Sequence, residues 1–334
     1  MNVDDLLKLH VNGHGGSRNR KRPEAADRDI LTGKRVLVTG AGGSIGSAVC
    51  RAVATLPATR LVMLDRDDSA LHALQLSLAE LPVRPGLAFY LRDICVEQGL
   101  TEIFERERPQ VVLHAAALKH VPLLEQHPAE AYRVNVLGTG TTLAAAAAAG
   151  TEIFVNISTD KASNPSSVLG ITKRLGERLT SYFSAKHNRR YLSVRFGNVL
   201  GSRGSFLTTF AEQIRNRRPL LVTHEDVTRF LMSVEDAVEL IVLAAAQGAG
   251  GETLISNMGK PVRILDIAHS LLDEAGADLP IEIVGLRPGD KLHEDYLDDS
   301  ESPADAVEDL VRVKVEPLDP AEVRFEDFLQ AAGR

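Results

Sequence analysis

TGAGGSIG, residues Thr39–Gly46, stands directly between an apolar run, KRVLVTG (Lys34–Gly40), and a stretch of helical spacing, SIGSAVCRAVATL (Ser44–Leu56). A buried strand that turns through glycines into a helix offers free backbone N–H groups and a positive dipole end to an anion. In such a turn Gly40 permits the tight bend, Gly43 lets the backbone approach a pyrophosphate, and Gly46 lets the helix pack closely on the strand. Ser44 and Ile45 open the helix and belong to the same contact surface. Glycine loops alone are common. Here the next apolar run, TRLVMLD (Thr59–Asp65), ends in an acid slightly more than about 20 residues on, where an adenosine ribose would be met. Asp65 as an acceptor for both ribose hydroxyls favours NAD. Arg66 suits a 2′-phosphate, a cover over adenine or a plain surface charge, so NADP stays open.

The same alternation continues outward. A helical pattern over Leu71–Leu81 is followed by a strand at LAFYLRD (Leu87–Asp93), a helix at TEIFERERP (Thr101–Pro109) and strands at VVLHAAA (Val111–Ala117), EIFVNIST (Glu152–Thr159) and YLSVRFG (Tyr191–Gly197). Near-continuous β-branched runs separated by helices imply a parallel sheet covered on both faces, an α/β Rossmann-type doubly wound fold. Asp93 and Ile94, at the end of the third strand, are placed to flank adenine. From about Ser202 the pattern loosens, which predicts a smaller C-terminal α/β substrate lobe. The expected division is 1–33 as a short helix (Asp4–Leu9) and polar linker, 34–201 as the dinucleotide-binding domain, and 202–334 as the second lobe, with room for the chain to cross back.

Composition excludes several classes. A net charge of −7 over 334 residues argues against a general nucleic-acid binder, and the basic run Arg18–Arg22 reads as a solvated arm. The two cysteines, Cys50 and Cys95, lack neighbours at metal-ligand spacing, and His10, His14, His114 and His120 form no ligand cluster, so no metal is expected. No apolar stretch reaches the roughly 20 residues of a membrane span; the longest is the alanine-rich helix ending at Gly150. The N-terminus carries no signal pattern, and the expected location is cytoplasmic.

Seven segments in order carry a more specific resemblance: HAAALKHVPLLE (His114–Glu125), NVLGT (Asn135–Thr139), STDKASNP (Ser158–Pro165), GITKRLGE (Gly170–Glu177), VRFGNVLGSRGS (Val194–Ser205), VTHEDVTRFLM (Val222–Met232) and GLRPGDKLHED (Gly285–Asp295). With the TGxxGxxG spacing they resemble the extended short-chain dehydrogenase/reductases. Within these they resemble the UDP-N-acetylglucosamine 4,6-dehydratases of the bacterial polysaccharide-biosynthesis branch. The resemblance runs from about Asp4 to Asp298. Some members of that family carry a membrane-spanning part before the catalytic domain; this chain resembles the catalytic domain alone, and DDLLKLHV (Asp4–Val11) resembles the segment that joins the two. The resemblance implies a homo-oligomer acting on a UDP-sugar.

The resemblance also implies roles. Oxidation at sugar C4 acidifies the C5 proton; Lys161 removes it while Asp160 protonates the departing C6 hydroxyl, and hydride returns to C6. Ser158 and Thr159 would hydrogen-bond the C4 oxygen, and Lys173 would bind the nicotinamide ribose. Ala115, Ala116, Asn135, Val199, Ser202 and Arg203 would complete the cofactor site, with Val199–Arg203 turning near nicotinamide. Lys119, Asn198, Thr223, Arg229, Arg287 and Asp290 would hold the substrate, Arg287 clamping the diphosphate and Asp290 a uridine hydroxyl. Arg229 suits a structural ion pair equally well. The tyrosine of the superfamily's YxxxK pair is Leu169 here, which cannot accept a proton, so the C4 hydroxyl needs Thr159 or a water relayed through Lys173. A second YxxxK, Tyr182–Lys186, lies three to four helical turns further on and is a decoy. The rival enzymes are a 4-epimerase, which keeps the tyrosine, and a 5,6-dehydratase; the non-enzyme rival is an NAD(P)-sensing protein that has no use for Asp160, Lys161 and Lys173 together.

Overall fold

The computed structural model describes residues 27, 29–57, 60–81, 86–256, 258–302, 305–307 and 310–333. The short helix expected at Asp4–Leu9, the joining segment Asp4–Val11 and the basic run Arg18–Arg22 lie outside them.

The chain alternates strand and helix through its first half: β1 (Arg35–Thr39), α1 (Ser44–Ala54), β2 (Arg60–Asp65), α2 (Asp68–Ala79), β3 (Leu87–Leu91), α3 (Glu97–Glu107) and β4 (Val111–His114). Next come α4 (Val121–Gln126), α5 (Pro128–Ala131), a π-helical turn over Tyr132–Gly138, α6 (Thr139–Ala148), β5 (Ile153–Ile157), a 3₁₀ turn at Asp160–Ala162, α7 (Val168–His187) and β6 (Arg190–Arg195). Two expected helices start earlier than their apolar spacing suggests. The α2 helix begins at Asp68 because the Asp67 carboxylate accepts from the Ala70 N–H and caps it. The α3 helix begins at Glu97 and closes through Arg108, which adopts a left-handed conformation (φ 42°).

Among the described residues the main sheet has the order β14–β15–β11–β6–β5–β4–β1–β2–β3. The stretch from β3 through β1 to β6 is parallel, as is β6 with β11 (Glu252–Ser256); β15 (Leu310–Lys314) and β14 (Asp305–Val307) add antiparallel at the edge. Period two sends neighbours on β1 to opposite faces. Val36 and Val38 pack with Val49 and Val53 of α1, whereas Leu37 packs with the Phe104, Phe154 and Tyr191 side. Both faces are apolar, so the sheet is doubly wound, as in the extended short-chain dehydrogenase/reductases.

The second half leaves the sheet and returns to it. β7 (Asn198–Val199), α8 (Phe206–Arg215), β8 (Leu220–Val222), β9 (Thr228–Arg229) and β10 (Leu231–Met232) lead into α9 (Val234–Gln247), which packs against α1. After β11 come β12 (Val262–Arg263), α10 (Ile264–Ala275) and β13 (Ile281–Ile283); a 3₁₀ turn at Pro320–Glu322 and α11 (Phe325–Ala331) follow β15. Leu207, Phe210, Ile214, Leu220, Ile267 and Leu271 give the smaller lobe a core of its own. The stretch after residue 202 is therefore not one body, because α9, β11, β14 and β15 build the dinucleotide-binding side. Among the described residues no helix is long and apolar enough to cross a membrane.

Candidate active site

A cleft of about 630 Å³ opens at the C-terminal ends of the parallel strands, where open α/β sheets place ligands. Its floor is the glycine loop. Gly40 sits at φ +64°, and a Cβ there would stand 2.6 Å from the Ala116 nitrogen. A Cβ on Gly46 would stand 2.0 Å from the Gly40 carbonyl. No larger residue fits either position. Gly43 caps α1 without a side-chain acceptor, so the first-turn N–H groups face the cleft beside Ser44 and Ile45. Asp65 also lines the cleft, and its carboxylate accepts from the Gly42 N–H (2.8 Å) and the Asp67 N–H (3.0 Å). It braces the loop as well as facing the ribose position.

Arg66 lies 3.8 Å from both Asp93 and Glu130, and Arg133 pairs with the same two carboxylates. Burial opposes ionisation of Asp93, but hydrogen bonds from Cys95 and Arg133 hold its carboxyl below the usual range. Ile94, Ala115 and Ala116 line the cleft. Val199, Ser202 and Arg203 do too, yet Arg203 reaches the glycine loop rather than the nicotinamide end: its N–H donates to Ser44 Oγ (3.1 Å) and its guanidinium to the Gly42 carbonyl. Asn135 is absent from the cleft wall. Its side chain is buried and holds both the N–H (2.8 Å) and carbonyl (3.0 Å) of Leu118, so it fixes the loop that presents Lys119.

The turn after β5 carries the acid–base residues. Asp160 is fully buried; its Oδ1 accepts from Lys161 Nζ (3.0 Å) and Thr159 Oγ (2.9 Å), while Oδ2 has no hydrogen-bond partner among the described residues. Lys161 faces the cleft. Its ammonium also donates to Asn198 Oδ1 (3.1 Å) and lies 3.4 Å from Glu294 Oε1. Burial works against the ammonium, but Asp160 and Glu294 outweigh it and hold Lys161 above the ordinary lysine range. Lys173 and Leu169 line the same cleft, one helical turn apart on α7. Burial pushes the Lys173 amine down to about 8, with Glu177 opposing. Lys119 is lowered as well, by burial and by the Arg203 charge, and reaches Ser202 Oγ at 3.4 Å.

Ser158 and Thr159 line the cleft, although the Ser158 hydroxyl donates to buried Glu177 (2.6 Å). Thr223, Arg229, Arg287 and Asp290 are not part of its wall. Arg229 donates to the carbonyls of Thr228 and Leu292 and lies 3.7 Å from Glu294. Arg287 and Asp290 pair with each other at 3.2 Å. Tyr182 donates to Asp319 (2.8 Å), outside the cleft.

Sequence reading missed Glu294, whose only signal was its place in GLRPGDKLHED, and an ionic group behind the turn. Fully buried Arg195 bonds both oxygens of Glu177 (2.8 and 2.6 Å) and both of Glu301 (2.7 and 2.8 Å), with Arg174 joining each acid. The segment 296–301 crosses the turn: the Tyr296 carbonyl accepts from Ser163 Oγ and Asp298 from the Asn164 N–H, each at 3.0 Å.

A family model described as Polysaccharide biosynthesis protein matches residues 36–315. The chain belongs to that family. It is 40% identical over 329 residues to the capsular polysaccharide biosynthesis protein CapD of Staphylococcus aureus, covering 97% of this chain and 55% of CapD. It is 30% identical over 274 residues to the UDP-N-acetylglucosamine 4,6-dehydratase (inverting) of Campylobacter jejuni, covering 80% of this chain and 79% of that protein. The X-ray structure of Pen from Bacillus thuringiensis superposes with a TM-score of 0.80 at 29% identity, over 88% of this chain and 91% of Pen. The chain spans about half the length of CapD. These similarities put it in the nucleotide-sugar dehydratase and epimerase group of extended short-chain dehydrogenase/reductases.

Proposed function

We propose that the chain is an NAD-dependent 4,6-dehydratase of UDP-N-acetylglucosamine or a closely related UDP-hexose. The observation that carries this reading is Lys161 at the strand ends, which faces the cleft with the buried Asp160 carboxylate paired to it at 3.0 Å, while the superfamily's tyrosine is Leu169. The Gly40–Gly46 cradle, the open α1 terminus and Asp65 suit NAD, and Lys173 suits its nicotinamide ribose. Arg66, engaged with Asp93 and Glu130, supports NAD over NADP. Held there, NAD would supply hydride acceptance and return.

The residues then divide the proton transfers. Thr159 Oγ donates to Asp160, so it can take the C4 hydroxyl proton and pass its own to that carboxylate. Asp160 gives this proton to the C6 oxygen, which departs as water as the C6–O bond breaks. Lys161 takes the C5 proton in the same elimination and, after its ammonium protons exchange with solvent, delivers a proton to C5 when hydride reaches C6. Each proton is thus accounted for by a group on the turn. Lys161 must shed its resting proton before it can serve, which sets the pH at which the cycle runs.

Incubation with NAD and UDP-N-acetylglucosamine in D₂O, followed by NMR, tests this reading. A 4-keto-6-deoxy sugar with deuterium at C5 is expected. A C4 epimer would mean a 4-epimerase, a product halted at the 5,6-alkene a 5,6-dehydratase, and an unchanged sugar a binding protein.

A further inference from the structure

Lys161 is surrounded by more acceptors than a catalytic amine needs. Asp160 approaches from its own turn, Asn198 from β7, and Glu294 from the segment after β13, while Arg229 of β9 lies 3.7 Å from the same Glu294 oxygen. An ammonium has three N–H donors and no acceptor, and three oxygens are arranged around this one. Glu294 is 8% exposed and does not line the cleft, and its second oxygen has no hydrogen-bond partner among the described residues. A carboxylate buried at that cost, with half its capacity unmet, is poorly explained as packing.

We propose that Glu294 is a positioning residue for the elimination, whose carboxylate fixes how strongly Lys161 holds a proton. It makes the neutral amine a stronger base toward C5–H, and it confines turnover to the pH range in which that amine is neutral. Arg229 works in the opposite sense, its own positive charge disfavouring the Lys161 ammonium. The catalytic part of this inference rests on the dehydratase reading; the hold on the proton does not.

The test is an NMR titration of the full chain carrying ¹³C-labelled lysine, with the Lys161 signal assigned from its loss in Lys161→Arg. Glu294→Gln keeps the shape and removes the charge. Its Lys161 midpoint should fall by about one to three units, the range for losing an opposite charge at this distance. Glu294→Asp should restore most of the shift. In turnover of UDP-N-acetylglucosamine, the rising limb of the kcat profile should move down with the midpoint and the plateau should drop. An unchanged midpoint in Glu294→Gln overturns the proposal. Should that variant fail to fold, the double variant Arg229→Gln/Glu294→Gln, which removes both charges as a neutral pair, is compared with Arg229→Gln, and a Lys161 midpoint no lower in the double variant overturns the proposal too. If wild-type protein leaves the sugar unchanged, the dehydratase reading falls, while the titration still decides whether Glu294 holds the proton.

Discussion

Two ionic quartets meet at the turn after β5. One joins Asp160, Lys161, Glu294 and Arg229; the other joins Glu177, Arg195, Glu301 and Arg174. Each has two carboxylates and two cations, and they differ in completeness. In the second, every carboxylate oxygen has a partner, Ser158 and the Asp298 N–H filling the remaining places. In the first, one oxygen of Asp160 and one of Glu294 have none among the described residues. A buried network satisfied throughout gives rigidity, whereas buried capacity left unmet calls for an explanation other than packing. The closed quartet also grips the turn that carries the open one, through Ser158 on one side and Ser163 on the other.

Substitutions can break this contrast. The largest effect should come from Asp160→Asn, which should lower turnover about 10²–10⁴-fold, the usual worth of a general acid, while the urea midpoint stays near wild type. A matching loss of stability would make the open quartet structural. Arg195→Met should do the reverse in kind, costing about 3–5 kcal/mol by leaving Glu177 and Glu301 buried without their shared cation. Urea unfolding that barely moves would show that the closed quartet holds nothing.

Next in size is a pH effect from a residue outside both quartets. His114 is fully buried between Thr39 and Thr139, and burial, helped by the Lys173 charge, pushes it down to about 3. Between about 6.5 and about 3 the unfolded chain binds a proton that the folded chain refuses. Stability should therefore fall with pH in that window, approaching about 1.4 kcal/mol per unit from this group. Glu301 adds to the loss further down. Arg195 holds its carboxyl below the usual range, so its contribution is present above its unfolded value and disappears as pH falls through the lower folded one. His114→Gln should flatten the upper part of the decline in urea midpoints measured from pH 7 to 4, and an unaltered slope would remove His114 as its cause. The smallest effect should be Tyr182→Phe, with turnover unchanged; abolished turnover there, alongside an active Lys161→Ala, would move the chemistry to the wrong end of α7.

The legible part of the molecule was the part built from local rules. Glycines at fixed spacing, buried β-branched runs and an acid closing β2 each act within a few tens of residues, so the dinucleotide-binding half and the walls of its cleft could be read directly. Asp160 and Lys161 were visible through the segments around them. Glu294 was not, because a buried acid and a solvated one are the same letter, and its burial depends on Lys161 and Arg229, far away in the chain. Asn135 misled for a related reason: an amide suits a ligand contact and a loop brace equally, and only the position of Leu118 decides between them. That the chain could cross back was open in the sequence, but which elements return, α9, β11, β14 and β15, was not legible, because sheet membership is settled by pairing across more than fifty residues.

Arg195 and Glu301 are 106 residues apart in sequence. At a synthesis rate of about 5–20 residues per second, a ribosome needs roughly 5–20 s to supply the acid after the arginine has been made. During that interval β6 also awaits β11, its parallel neighbour. The glycine loop and first strands can assemble early, but the turn bearing Asp160 and Lys161 acquires its second clasp only when residues 296–301 emerge. The glycine loop would then be in place well before the turn beside it is clasped.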